Sequence, residues 1–291
     1  MIEFFQMIVS GTAVGSSYAL MAVALVIIYK TSEIINFAQG GMSLITAYLT
    51  FMTLETYGFS FPMAFLFAFV FALLLGIFLE FTVIRRAENP TALGFIIITL
   101  GLEFVLSGFV SWKFGADQQT IPFPITPYDS LDLGGAYFSH LELTTLAAAI
   151  VILIILFLFY RYSKLGLAMK ATQQNLMAAR IMGIRTNRIM MLTWGISSLV
   201  GAVAALLIAP MVMEPYMMWD PLMKGFAAAV LGGMTSLPGA VFGAYILGII
   251  EQLFGGYVSI EFKSVVSFAI IVLVLCLKPS GLFARHYVKK V

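Results

Sequence analysis

Residues 161–188 read RYSKLGLAMKATQQNLMAARIMGIRTNR, and apolar runs flank them on both sides, Leu143 to Tyr160 before and Ile189 to Met213 after. About 20 mostly apolar residues are enough for a helix to cross a bilayer. The stretch between the two runs holds Arg161, Lys164, Lys170, Arg180, Arg185 and Arg188 and no acid. Lys and Arg beside spans stay on the cytoplasmic side, so this is a cytoplasmic loop between two membrane helices. Counting back one span puts Lys113 to Glu142 outside, where Asp117, Asp129, Asp132 and Glu142 stand against one lysine. Arg85, Arg86 and Lys30 then fall inside and the amino terminus outside.

The composition agrees with a chain solvated by lipid. Of 291 residues, 61% are apolar and 10% charged, whereas soluble domains carry about 25% charged residues. Too few polar groups exist to cover a water-facing surface, which excludes a soluble enzyme, a nucleic-acid binder and a disordered chain. The formal charge of +2 implies no polyanionic partner. Cys276 has no second cysteine to pair with, and His140 and His286 stand far apart, so neither a disulfide nor a spaced metal site is expected. Phe4 to Tyr29 follows Glu3 rather than a basic region and is too long for a signal-peptide core, so it reads as a retained span.

Phe5–Tyr29, Asn36–Tyr57, Phe61–Ile84, Leu93–Trp112 and Val265–Leu277 join the two flanking runs as spans. Met223 to Phe254 is interrupted at Ser236-Leu237-Pro238-Gly239, and each half is short for a span. A single crossing there would put the basic tail, with Lys278, Arg285, Lys289 and Lys290, outside. A re-entrant pair of half-helices puts it inside and leaves thirteen of the sixteen basic residues cytoplasmic, all but Lys113, Lys224 and Lys263. The expected fold is all-α and polytopic, with about seven spanning helices plus a re-entrant half-helix pair. Residues 1–291 form one membrane domain, in which Gly115 to Gly135 is a structureless loop and 163–188 the cytoplasmic segment. Irregular backbone at membrane depth is tolerated only beside protein or a water-filled path, so each break points to a path. A second break is expected between Asn36 and Gly41, at shallow depth because Lys30 is near. Asn36, Gln39 and the two glycines there are equally readable as helix–helix glue.

Chemistry-bearing motifs are few. No GxxxxGK[ST], HExxH or GxSxG occurs, and the longest cytoplasmic piece, about 28 residues, is below the 50 or so of a domain. ATP, if used, is hydrolysed by another chain. Glu103 and Glu251 lie within apolar runs, with no Lys or Arg expected at their depth; they are either a proton-coupling pair or protonated structural glue. Glu80 is close enough to Arg85 and the inner surface to snorkel. In the cytoplasmic segment, Met177, Ile181 and Ile184 recur at helical spacing between Gly166 and Gly183. Two short helices there either lie on anionic lipid or dock on a partner. Ala179 and Gly183 stand one turn apart, leaving room for a close partner surface, with Arg180 beside them to bond it.

Several short motifs stand in a specific order from about Ser10 to Phe283: Gly15-Ser16-Ser17-Tyr18-Ala19-Leu20, Ile35-Asn36-Phe37-Ala38-Gln39-Gly40, Thr99-Leu100-Gly101, Ala178-Ala179 with Gly183-Ile184, Leu231-Gly232-Gly233, Ser236-Leu237-Pro238-Gly239-Ala240 and Lys278-Pro279-Ser280-Gly281-Leu282. In this order the chain resembles membrane permease subunits of branched-chain amino acid ABC importers, the first of the two permeases such systems encode. The resemblance implies a bacterial-type inner membrane protein that is no enzyme and carries no cofactor of its own. It also implies a second homologous permease, two cytoplasmic ATP-binding subunits that hold ATP and Mg, an extracytoplasmic solute-binding protein and surrounding membrane lipid, with no nucleic acid. Relatives handle leucine, isoleucine and valine, and also urea, amides and organic acids. A translocation path past Tyr18, Asn36, Gln39, Gly40, Thr99, Ser236, Pro238 and Gly239 is implied, and coupling to the ATPase through Ala178, Ala179, Arg180 and Gly183. Met177 stands where the coupling motif often has Glu, and Gln39 and Gly41 replace a frequent His and Glu. The alternative class is an ion- or proton-coupled secondary transporter using Glu103 and Glu251.

The charge distribution makes the orientation testable. In a background lacking Cys276, Glu261→Cys is expected to react with an impermeant reagent added outside and Lys289→Cys to remain unlabelled. Outside labelling at position 289 overturns the orientation.

Overall fold

The computed structural model describes residues 2–87, 91–119, 121, 123, 130–133, 136–278 and 281–283. The expected basic tail at Arg285, Lys289 and Lys290, and the Pro279-Ser280 part of the last motif, lie outside the described residues. Among the described residues the helices are α1 (Ile2–Ser32), α2 (Gln39–Glu55), α3 (Phe61–Leu79, continued by a π turn Glu80–Ile84), α4 (Ala92–Phe114), α5 (His140–Tyr162), α6 (Lys164–Gln174), α7 (Leu176–Ile181), α8 (Thr186–Ile208), α9 (Trp219–Gly232), α10 (Leu237–Tyr257) and α11 (Lys263–Leu277). Two strands, β1 (Ser130–Leu133) and β2 (Ala136–Ser139), pair antiparallel with Ser130 opposite Ser139. The loop expected to be structureless therefore ends in a strand. Most of the remainder of that loop, 120, 122, 124–129 and 134–135, lies outside the described residues.

Side-chain caps mark where many helices begin. Thr91 accepts from the Gly94 amide, Ser163 from Gly166, Asn175 from Ala178 and Ser236 from Gly239. Each side chain satisfies one of the amides that the first helical turn leaves without an intrahelical partner.

The expected all-α polytopic architecture is present, with the spans distributed differently. Among the described residues, six helices are long and apolar enough to cross a membrane: α1, α3 with its π turn, α4, α5, α8 and α10. At 17 and 15 residues, α2 and α11 are shorter. The Ser236–Gly239 interruption does not split its apolar run into two short halves. It leaves α9 with 14 residues and α10 with 21. Pro238 sits in the first turn of α10, where its missing N–H costs nothing and its fixed φ favours a helix start. The motif read as a break at depth is a start signal for a full-length helix.

The most enclosed helix is α1. Its apolar window is 89% buried, against 17% for α5, so α1 forms the centre and α5 the rim. It packs on α5, α8, α9 and α10. Gly11 of α1 faces Ile249 of α10 and Gly15 faces Tyr245, so the two helices run antiparallel. A Cβ placed on Gly248 would fall against the backbone of Gly11 and Gly15. Without a hydrophobic force between helices in lipid, such backbone contact through small residues is a main source of association.

Gly248→Leu has no space at this crossing and is expected to lower the detergent unfolding temperature and the yield of folded protein. Overpacking typically costs about 1–3 kcal/mol. Gly101→Leu, where an added Cβ meets nothing within 4 Å, is expected to leave the stability of the chain unchanged.

Candidate functional site

The first break lies deeper than its distance from Lys30 suggests. After α1 ends at Ser32 the chain turns back, and Gln39 Nε2 donates to Ser197 O of α8 at 3.0 Å. Ser197 Oγ lies 2.8 Å from the Ala24 carbonyl and 2.9 Å from Gln39 Oε1. Ala24 stands two helical turns, about 12 Å, before the end of α1, so the segment has climbed into the membrane rather than staying shallow. Gly41 meets Glu103, which is midway along α4.

Neighbouring side chains bond the backbone that this break exposes. No side chain of the preceding residues caps α2. Instead Glu103 Oε2 accepts the Gly41 amide at 2.5 Å, and Ser107 Oγ lies 3.2 Å from its other oxygen. A carboxylate at a helix N-terminus is favoured by the partial positive charge of the free amides. Thr99 Oγ1 lies 3.3 Å from the Ile35 carbonyl, the Ala38 amide donates to Asn36 Oδ1 at 3.1 Å, and Asn36 Nδ2 donates to Gln39 Oε1 at 3.2 Å. Asn36, Gln39, Ser43, Thr99 and Ser197 are fully buried. Gly201 of α8 lies so close that a Cβ there would overlap Gln39 and Ser43. Gly40 packs between Glu103 and Leu222 of α9.

Glu251 is not an isolated acid. Lys224 Nζ donates to its Oε1 at 2.6 Å, and both side chains are almost wholly buried. Ser267 and Tyr18 donate to Oε2 at 3.1 and 3.3 Å. Lys224 also pairs with the exposed Asp220 at 2.8 Å and lies over the Tyr18 ring. The expectation that no basic residue shares the depth of Glu251 is therefore corrected. Counted by sequence order as external, Lys224 stands on the inward side of α9, and a free ammonium in an apolar interior is too costly to be left unpaired. Glu80 is corrected likewise: it is buried and pairs with Arg85 at 2.8 Å instead of snorkelling.

In the basic segment, Gly183 adopts φ +82, the left-handed region, and closes α7 through bonds from its amide to Arg180 O and from Ile184 N to Ala179 O. Ala178 is exposed and Ala179 is buried against its own chain. Arg180 Nε donates to Thr186 Oγ1 at 3.0 Å, at the start of α8, so its bond is internal. Met177, Ile181 and Met182 are 66%, 79% and 81% exposed. They form an apolar tip beside a groove of about 480 Å³ lined by Leu167, Ala171, Ala178 and Met182. The last turn region, Ser236 to Gly239, stands apart from the Asn36–Glu103 knot: Ser236 caps α10, Pro238 is exposed and Gly239 is packed on Gly232.

Tyr18 belongs to the Lys224–Glu251 network, while Asn36, Gln39, Gly40 and Thr99 come together in the other. Sequence reasoning missed Lys224, Ser197 and Ser267. The spacing of Asp220 and Lys224, four residues apart on one helix, was the available signal.

Six apolar spans stitched around an interrupted centre define a polytopic α-helical membrane protein. Residues 7–275 match the family model of the permease component of branched-chain amino acid transport systems. The chain belongs to that family and is a permease subunit of an ABC importer. It is 35% identical to the high-affinity branched-chain amino acid transport system permease protein LivH of Escherichia coli K12, over 99% of this chain and 98% of that one. It is 30% identical, with the same coverage, to BraD of Pseudomonas aeruginosa. It is 27% identical to a probable LivH of Methanocaldococcus jannaschii, over 95% of this chain and 92% of that one. No solved structure matches the chain significantly.

Lys224→Met leaves Glu251 buried without its counter-charge and is expected to cost about 3–5 kcal/mol, read as a lower unfolding temperature in detergent. Lys224→Met combined with Glu251→Leu is expected to recover most of that loss. A double variant as unstable as the sum of the two single ones would show that the pair does not act as a unit.

Proposed function

We propose that the chain carries a branched-chain amino acid, or a related small amino acid, amide or organic acid, inward across a bacterial-type cytoplasmic membrane by alternating access. A second homologous permease lies beside it, and a solute-binding protein delivers the solute outside. Two cytoplasmic ATP-binding subunits hold ATP and Mg; this chain catalyses no reaction. The amino terminus is outside and the carboxyl terminus cytoplasmic. The family assignment supports this reading, and so does the exposed tip of Met177, Ile181 and Met182, which suits the groove of an ATPase subunit better than water.

A mechanical route runs from that tip. Caps at Ser163 and Asn175 and the turn at Gly183 make α6 and α7 a defined unit. The Arg180–Thr186 bond ties that unit to the start of α8. Further along α8, Ser197 and Gly201 bear on Gln39 and thus on the start of α2. Movement of the ATPases is transmitted along this line to the interrupted helices. The path follows the face where Phe37, Trp219 and Phe226 are partly open, with Tyr18, Asn36, Gln39, Gly40 and Thr99 forming the wall behind and Ser236, Pro238 and Gly239 its inner end. An ion-coupled carrier through Glu103 and Glu251 is disfavoured, because the first caps α2 and the second is paired with Lys224.

Docking is best tested on side chains that face outward. Ala179→Leu would overpack the chain itself, and any side chain at Gly183 is strained by its backbone. Ile181→Asp with Met182→Asp is expected to weaken retention of the ATPase subunits by about tenfold or more, the effect of losing buried apolar anchors, and to reduce uptake, with the permease still inserted. Normal uptake and ATPase retention in this variant would sink the docking role.

A further inference from the structure

We propose that the chain holds one anionic phospholipid in a slot between α1, α5 and α10, with its headgroup phosphate at Lys30 and Lys170. Three independent features meet there. The slot has a volume of about 330 Å³ and is lined by Val23 and Ile27 of α1, Ile154 and Phe157 of α5, and Val241 and Tyr245 of α10. Ile154 and Phe157 are also exposed on the outer, apolar face of α5, so the slot opens toward lipid. An apolar cavity of this kind does not retain water, and an acyl chain is the apolar occupant available at that face.

At the end of the slot nearest the basic segment, the chemistry changes. Tyr160 lines it, and its hydroxyl is buried without a hydrogen-bond partner among the described residues. Lys30 Nζ of α1 and Lys170 Nζ of α6 both lie over that ring, 4.7 and 5.0 Å from its centroid. Neither ammonium forms an ion pair with a carboxylate among the described residues. Two like charges brought to one ring repel, and an anion between them removes that cost. A phosphate supplies the negative charge and an acceptor for the tyrosine hydroxyl. A basic pocket between helices at the membrane surface is the known chemistry of anionic headgroup recognition, and the slot gives the attached chain a place.

Native mass spectrometry of the full-length chain, titrated with phosphatidylglycerol, phosphatidylcholine or inorganic phosphate, tests the site. One phosphatidylglycerol is expected to be retained in preference to phosphatidylcholine by on the order of thirty-fold, the effect of two lysines near an anionic group. Lys30→Gln with Lys170→Gln is expected to bring that ratio close to one, while Lys30→Arg with Lys170→Arg preserves it. Ile154→Trp, which fills the slot, is expected to remove both lipids. Equal retention of the two lipids by the unaltered chain would mean a surrounding lipid layer only. Displacement of the lipid by phosphate alone would mean a headgroup site without a chain slot. Loss of the bound lipid when the second permease is added would make the slot a subunit contact. Each of these three results overturns the proposal, and all are read on the unaltered chain, so they do not depend on the variants folding.

Discussion

A backbone amide in the middle of a bilayer finds no water, and leaving it unbonded costs several kcal/mol. That constraint governs the segment between α1 and α2. The chain re-enters the membrane there without regular structure, and α2 starts at the depth of Glu103 instead of at the surface. The polar side chains around it are those needed to close the backbone bonds: Asn36 for Ala38, Thr99 for Ile35 and Glu103 for Gly41. Ser197 of α8 and Gln39 complete the knot. The helices α1, α4 and α8 are thereby bound to the start of α2, so a break that would weaken one helix becomes the junction of four.

The intramembrane charges obey the same accounting. Glu103 is held by an amide and a serine, whereas Glu251 is held by a lysine, a serine and a tyrosine. The two acids are consequently different chemical objects, although they look alike in sequence. Glu103 serves the end of a helix. Glu251 joins α1, α9, α10 and α11 through a buried ion pair and two hydroxyl bonds. Neither stands free in an open channel in the manner of a proton-relay carboxylate.

The proposed coupling requires the basic segment to be tied rigidly to the spans. A loop of 28 residues without structure would absorb any push applied to it. Caps at both short helices, the left-handed turn at Gly183 and the Arg180–Thr186 bond remove most of that slack. The apolar tip is then an exposed end of a stiff element that leads straight into α8. The same α8 carries Gly201 against Gln39, so tip and interrupted helix are separated by one continuous helix.

Composition and charge distribution by themselves determined that the chain is a helical membrane protein and where most spans fall, and apolar spacing indicated short helices in the basic segment. These follow from apolar run length, Lys and Arg bias and the helical spacing of apolar residues, all of which act locally. The order of the short motifs carried the family. Depth and pairing were decided by tertiary structure alone. Lys30 suggested a shallow Asn36–Gly41, yet the chain climbs back two turns because its bonding partners, Ala24, Ser197 and Glu103, lie there. Ser236-Leu237-Pro238-Gly239 reads from the sequence as a break, whereas in the structure it starts α10, which packs along α1 through Gly248 and Gly15. Lys224 is 27 residues from Glu251 in sequence and 2.6 Å from it in space. No local rule contains that distance, because it is set by how α9 and α10 fold back against α1.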